Sequence, residues 1–275
     1  MNINRRTFVA LSALALVTSL GAMGCGPETI PESIASESTP GAPANPVTLT
    51  ISAAGSLTNV LEEVKGVYET ENPQVSITYN FGASGSLAQQ ILQGAPSDVF
   101  LSASEKWMDE LENQGQLRAD SRRDLLQNEL VLIVLKDRTG VSSFEDLAAA
   151  DVTNVAMGEP DSVPAGQYAK ETLTSLQIFT AIEPKLVLGK NVQQLLSYVE
   201  TGNAEAGLVF ATDAKSSDQV RVVATAPPET HSPIVYPVAV VQDSTEAEAA
   251  QAFVDFLSSE QAIAIFQAYG FTMVE

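Results

Sequence analysis

Residues 47–71 read VTLTISAAGSLTNVLEEVKGVYETE, and the fold turns on the change of period inside this stretch. Its first eight residues are β-rich and strand-like. Beyond them Leu57, Val60, Leu61, Val64 and Tyr68 fall on one face of a helix. The same succession recurs down the chain. QVSITYNF leads into SLAQQILQ, and DVFLSA into EKWMDELENQG, a helix ending near Gly115. LVLIVLK at 130–136 is an apolar run of strand length, suited to a sheet covered on both faces. A helix is expected at 143–149, a strand at VTNVAMG, a helix at 165–176, a short strand at KLVLG, a helix at 191–201 and a strand at AGLVFA. RVVATA and IVYPVAVV read as further strands, and one long helix is expected from Glu246 to Tyr269. This alternation predicts an α/β fold with largely parallel sheets. There are more strands than one small sheet needs, so two lobes are expected.

Composition narrows the function. The chain has 275 residues, 45% of them apolar, enough for a substantial core. Its formal charge of −20, from 14 basic and 34 acidic residues, argues against binding nucleic acid or an anionic membrane surface through a basic patch. An anionic ligand would need a pocket that supplies its own attraction. Residues 1–24 have a basic start with Arg5 and Arg6, an apolar run from Phe8 to Leu20 that is too short to span a membrane, and small residues before Cys25, the features of an export signal. NRRTFVA fits a twin-arginine route and an ordinary secretory one equally. Cys25 is the only cysteine, so it has no internal disulfide partner. GAMGC resembles a bacterial lipobox, which favours a lipidated Cys25 over a free thiol. Residues 26–46, rich in Pro, Ser, Glu and Thr, read as a flexible tether.

In open α/β sheets ligands sit beyond the carboxyl ends of strands. Four strand-to-helix junctions stand out there. AAGSL and FGASGSL each place a serine at or near a helix start, Ser56 and Ser84. In EPDSVPAGQ, Pro164 suits a first helical turn, leaving the N–H groups of Ala165 and Gly166 unpaired. In VLGKNVQQLL, Asn191 is a good N-cap and the Val192 N–H lies in the first turn. Each junction alone is an ordinary helix start. Together, two from each half of the chain, they would present neutral donors and the positive ends of helix dipoles to one oxyanion. A cleft with donors only also disfavours a protonated phosphate, whose proton would have no acceptor.

AAGSLTNVLEEV, GAPSDVFLSASEKWMDEL, GEPDSVPAGQYAKETL, ATAPPETHSPIVYPVAVV and IFQAYGFT, in that order, resemble the substrate-binding protein of bacterial ABC-type molybdate transporters from about Val47 to the C-terminus. The resemblance implies a two-lobed periplasmic-binding-protein fold (type II) with crossover hinge strands. One lobe would be 47–128 with 229–275, the other 129–228. It implies molybdate, with tungstate as a second ligand, held by Ser56 and Ser84 through hydroxyl and N–H and by Ala165 and Val192 through N–H. No cofactor and no metal cation beyond the oxyanion are implied. The implied partner is an ABC permease, with the chain a monomer outside the cytoplasm, attached to the membrane only through its lipid. One position departs from the family: GLVF stands where a ligand tyrosine is common, so Phe210 brings no hydroxyl. Water, Thr212 or a backbone group are candidate substitutes.

Three rival readings stay open. A sulfate-type oxyanion receptor would use the same donors. A serine-dependent hydrolase is weakened because GASGS ends in Ser86 where a nucleophile elbow needs glycine, and because His231, the only histidine, is expected in a surface loop. Asp98, Glu159 and Asp161 are expected in solvated or capping roles, and Trp107 and Met108 in the core. A structural lipoprotein without a ligand would show no oxyanion-dependent stabilisation.

Overall fold

β1 (Val47–Ala54) and α1 (Thr58–Glu71) form where the period changes, joined by a 3-10 turn at Gly55–Leu57. This is a computed structural model, and it describes residues 46–274; the export signal, Cys25 and nearly all of the tether lie outside the described residues. Leu57, Val60, Leu61, Val64 and Tyr68 are all buried. β2 (Val75–Gly82), α2 (Ser84–Leu92), β3 (Val99–Leu101), α3 (Glu105–Asn113) and β4 (Arg123–Gln127) follow. α3 stops before Gly115, whose φ of +67° is left-handed and suits glycine.

The chain then crosses at Asn128–Glu129 into a second sheet. Its elements are β5 (Leu130–Leu135), β6 (Val155–Gly158), α4 (Pro164–Ser175), α5 (Phe179–Ile182), β7 (Leu186–Gly189), α6 (Val192–Glu200), β8 (Ala206–Phe210), α7 (Ala211–Lys215) and β9 (Val220–Thr225). A second crossing, through residues 226–234, returns it to β10 (Val235–Val240), α8 (Ala247–Phe256), α9 (Glu260–Tyr269) and β11 (Thr272–Met273). The first sheet has the order β11-β4-β10-β3-β1-β2 and the second β7-β6-β8-β5-β9. β1 is parallel to β2 and β3, and β6 to β7 and β8. The strands next to the crossings run antiparallel: β10 to β3 and β4, β11 to β4, and β5 to β8 and β9. Leu130 to Val134 are buried on both faces of β5, as a central, doubly covered strand requires. The Tyr68 ring stands edge-on to Phe253 at 5.1 Å and Phe256 at 5.0 Å, fastening α1 to α8.

Two of the expected helices differ from expectation. The helix expected at 143–149 is a 3-10 turn, Glu145–Ala148. The Asp146 carboxylate accepts from Ser142 N–H (2.8 Å), the Ser142 hydroxyl (2.9 Å) and Ser143 N–H (3.0 Å), so side-chain bonding replaces the α-helical ladder. The long helix expected from Glu246 to Tyr269 is two, α8 and α9. The break is at Ser259, whose extended backbone and hydroxyl, accepting from Ala262 N–H at 3.2 Å, start a new helix. Among the described residues no helix is long and apolar enough to cross a membrane.

Candidate functional site

The parallel strands β1, β2, β6 and β7 end at Ala54, Gly82, Gly158 and Gly189, and the chain then turns into the helix starts singled out above. Ser56, Ser84, Ala165, Val192 and Phe210 all line one small cavity between the two sheets, with a volume of about 10 Å³. Among the described residues no charged side chain lines it. Ser84 and Ala165 are fully buried, and Val192 and Phe210 nearly so.

The local chemistry leaves backbone donors at these helix starts without partners. α2 and α4 have no side-chain cap: Ala83 and Val163 occupy their N-cap positions. Neither serine caps its helix. α6 is capped by Asn191, whose Oδ1 takes the Gln194 N–H at 2.9 Å and leaves the Val192 N–H unused. Among the described residues the N–H groups of Ser56, Ser84, Ala165 and Val192 find no acceptor in the protein. Unpaired helix-start donors of this kind are what binding an anion requires. Gly166, the other donor expected at its junction, instead bonds the Val163 carbonyl at 2.9 Å.

The hydroxyls are polarised the same way. Ser84 Oγ accepts from Ala103 N–H at 3.0 Å, which leaves its proton for the cavity. Ser56 Oγ lies 3.0 Å from the Tyr236 hydroxyl, itself 3.2 Å from Asn128 Nδ2. Tyr236 is buried, and burial first, then the nearby Asp213, pushes its phenol well above the usual range, so it stays protonated. Burial likewise pushes the Asp213 carboxyl up, to about 7, against a backbone hydrogen bond from Phe210 that lowers it.

Contacts across the cavity hold the two sheets' helix starts together. Gly85 N–H donates to the Ser162 carbonyl at 3.0 Å. Gln193 Nε2 donates to the Gly55 carbonyl and to Thr58 Oγ1, both at 2.5 Å. Ser104 Oγ donates to Gln167 Oε1 at 3.4 Å. A Cβ on Gly85 would come within 2.6 Å of the Trp107 ring and 2.7 Å of the Ser162 carbonyl, so only glycine permits this approach.

Other candidates fall elsewhere. Met108 is buried with Leu87 and Phe100, whereas Trp107 is half-buried and lies along the seam over Gly85. Asp98 ties strands together, accepting from Thr50 N–H at 2.7 Å and the Ser244 hydroxyl at 2.6 Å. Asp161 is exposed. His231 is not a plain surface residue: it is half-buried, its ring 5.9 Å from that of Tyr168. Thr212 does not line the cavity, so it does not stand in for the hydroxyl missing at Phe210; its Oγ1 instead accepts from Asn128 Nδ2 at 2.8 Å. Among the described residues no histidine or carboxylate bonds Ser56 or Ser84, and no cluster of three His, Cys, Asp or Glu residues is placed to hold a metal. Tyr236 and Asn128 escaped the sequence reading, Tyr236 because it sits in an apolar strand. The signal available was Pro237, a residue without an N–H in a central strand, and the register does break between Tyr236 and Pro237.

The bacterial extracellular solute-binding protein family matches residues 49–272. The chain belongs to this family. The solute-binding protein is 39% identical over 230 residues to the molybdate-binding protein ModA of Escherichia coli, covering 82% of this chain and 89% of that one. It is 45% identical over 227 residues to YvgL of Bacillus subtilis, named provisionally as an ABC transporter substrate-binding lipoprotein, covering 82% of this chain and 86% of that one. Among solved structures, the periplasmic molybdate-binding protein of Azotobacter vinelandii superposes with a TM-score of 0.74 at 27% identity, covering 82% of this chain and all of the other. The two mixed sheets are thus those of a periplasmic binding protein, and the solute-binding protein is a transporter component, not an enzyme.

Proposed function

We propose that this protein captures molybdate outside the cytoplasm and delivers it to an ABC permease, taking tungstate as well. The anion's oxygens would accept from the Ser56 and Ser84 hydroxyls and from the N–H groups of Ser56, Ser84, Ala165 and Val192. The observation that carries the reading is the small, uncharged cavity toward which four unpaired helix-start N–H groups converge. Relatives named as molybdate-binding support the choice of anion. Hydrogen bonds to a charged partner contribute roughly 1.5–3 kcal/mol each, so neutral donors suffice without Lys or Arg. Each sheet supplies part of the set, so the anion binds best when both close on it, and closure is a population shift driven by that difference. The lipidated form of Cys25 and a monomeric state belong to the same proposal. The lipidated form is supported by GAMGC and by the lipoprotein name of the B. subtilis relative.

Isothermal titration with molybdate, tungstate, sulfate and phosphate tests it. Molybdate and tungstate should bind tightly and phosphate far more weakly, because among the described residues no carboxylate lines the cavity to take a phosphate proton. Heat from sulfate alone, or from none of the four, would end the reading.

A further inference from the structure

The Ser56 side chain has two neighbours that decide which way its proton points. Asn128 is the first. Its amide orientation is fixed, because Oδ1 accepts the Glu129 N–H at 2.9 Å and Nδ2 lies 2.8 Å from Thr212 Oγ1. The group facing Tyr236 at 3.2 Å is therefore an amine, which only donates. Tyr236 is the second. With its oxygen accepting from Asn128, its own proton has one acceptor among the described residues, Ser56 Oγ, 3.0 Å away. Ser56 then accepts from Tyr236, and its proton is left for the cavity that Ser56 lines. Phe210, on the opposite sheet, lines the same cavity without a hydroxyl, its ring 5.8 Å from that of Tyr236.

We propose that Tyr236 is a positioning residue of the oxyanion site: held by Asn128, its hydroxyl fixes the Ser56 proton toward the anion and offsets the donor that Phe210 lacks. This rests on the oxyanion reading given above. Asn128 stands at the first crossing between the sheets, and Thr212 belongs to α7 on the second sheet's side. The chain Thr212, Asn128, Tyr236, Ser56 therefore runs from one half, across the pivot, to the anion's contact.

The test is a double-mutant cycle read by molybdate titration. Tyr236→Phe keeps the ring and removes only the hydroxyl, and should raise Kd about tenfold, the ordinary worth of one hydrogen bond to a charged group. In a Ser56→Ala background the same change should have no further effect, because Tyr236 acts only through Ser56. Phe210→Tyr added to Tyr236→Phe should recover affinity by returning a hydroxyl to the opposite wall. A merely structural Tyr236 would lower the melting temperature of ligand-free protein and leave both patterns absent. If wild type binds molybdate and Tyr236→Phe binds it within about twofold of wild type, or if the two losses simply add, the inference is overturned while the site reading stands. If wild type binds no oxyanion, both fall. Should Tyr236→Phe not fold, Asn128→Leu replaces it in the cycle, with a weakened Kd expected and an unchanged Kd overturning the proposal.

Discussion

At Asp213 a carboxylate oxygen is buried with no hydrogen-bond partner among the described residues, on the first turn of α7 and close enough to Tyr236 to push its phenol up. The ordinary aspartate value is 3.8 and the folded one about 7, so between these pH values the folded protein carries the extra proton. Stability from this group is full below about 3.8 and is lost as pH rises through about 7, a few kcal/mol in all. Thermal melts should show the decline, and Asp213→Asn should flatten it and raise the melting temperature at pH 8. A variant that melts like wild type at pH 8 would mean the buried carboxyl is accommodated in some other way. The serines act on binding rather than on this balance. Ser84→Ala removes an inward donor and leaves the Ala103 N–H without its acceptor, so molybdate affinity should fall about ten- to a hundredfold by titration.

Among the elements, much was legible because single residues enforce it. Leu57 through Tyr68 repeat at helical spacing and are buried as that spacing demands, and the unbroken apolar run of β5 lies between two strands. The four helix starts were legible because each follows a strand-like run, carries a serine, Pro164 or Asn191 suited to a first turn, and precedes helical spacing. Strand direction at the crossings was not, since β4, β5, β9 and β10 are set by which half of the molecule they enter, a long-range fact absent from local pattern. The break between α8 and α9 was missed because apolar spacing on either side masks the Ser259 cap; Ser259→Ala should cost about 1 kcal/mol in denaturant unfolding. The seam at α2 makes a sharper prediction. Gly85→Ala would drive a methyl against Trp107 and the Ser162 carbonyl, holding the halves apart. Molybdate affinity should drop more than tenfold with the ligand-free melting temperature little changed. Trp107 is the chain's only tryptophan, so its fluorescence reports this seam directly.

For the whole molecule the decisive quantity is charge. A protein of net charge −20 repels a dianion, and no cationic side chain lines the cavity to reverse this at short range. Raising salt from about 0.01 to 0.15 M shrinks the screening length from about 30 to 8 Å, so stopped-flow association should quicken and titrated affinity should hold or tighten, not weaken. A site built on Lys or Arg would weaken instead. Molybdate at about 100 times its Kd should also stabilise the folded protein by roughly 2.7 kcal/mol, visible as a shift in melting temperature. The two residues of β11 clamp β4 on the side away from β10, and Val274 N–H reaches the Leu125 carbonyl at 3.2 Å. β4 stops at Gln127, immediately before Asn128, so the first crossing leaves from a post braced on both flanks. A purification tag fused directly behind that tail, or carboxypeptidase trimming of it, would slacken the post, and the jaws would lose their alignment before the core lost its cohesion.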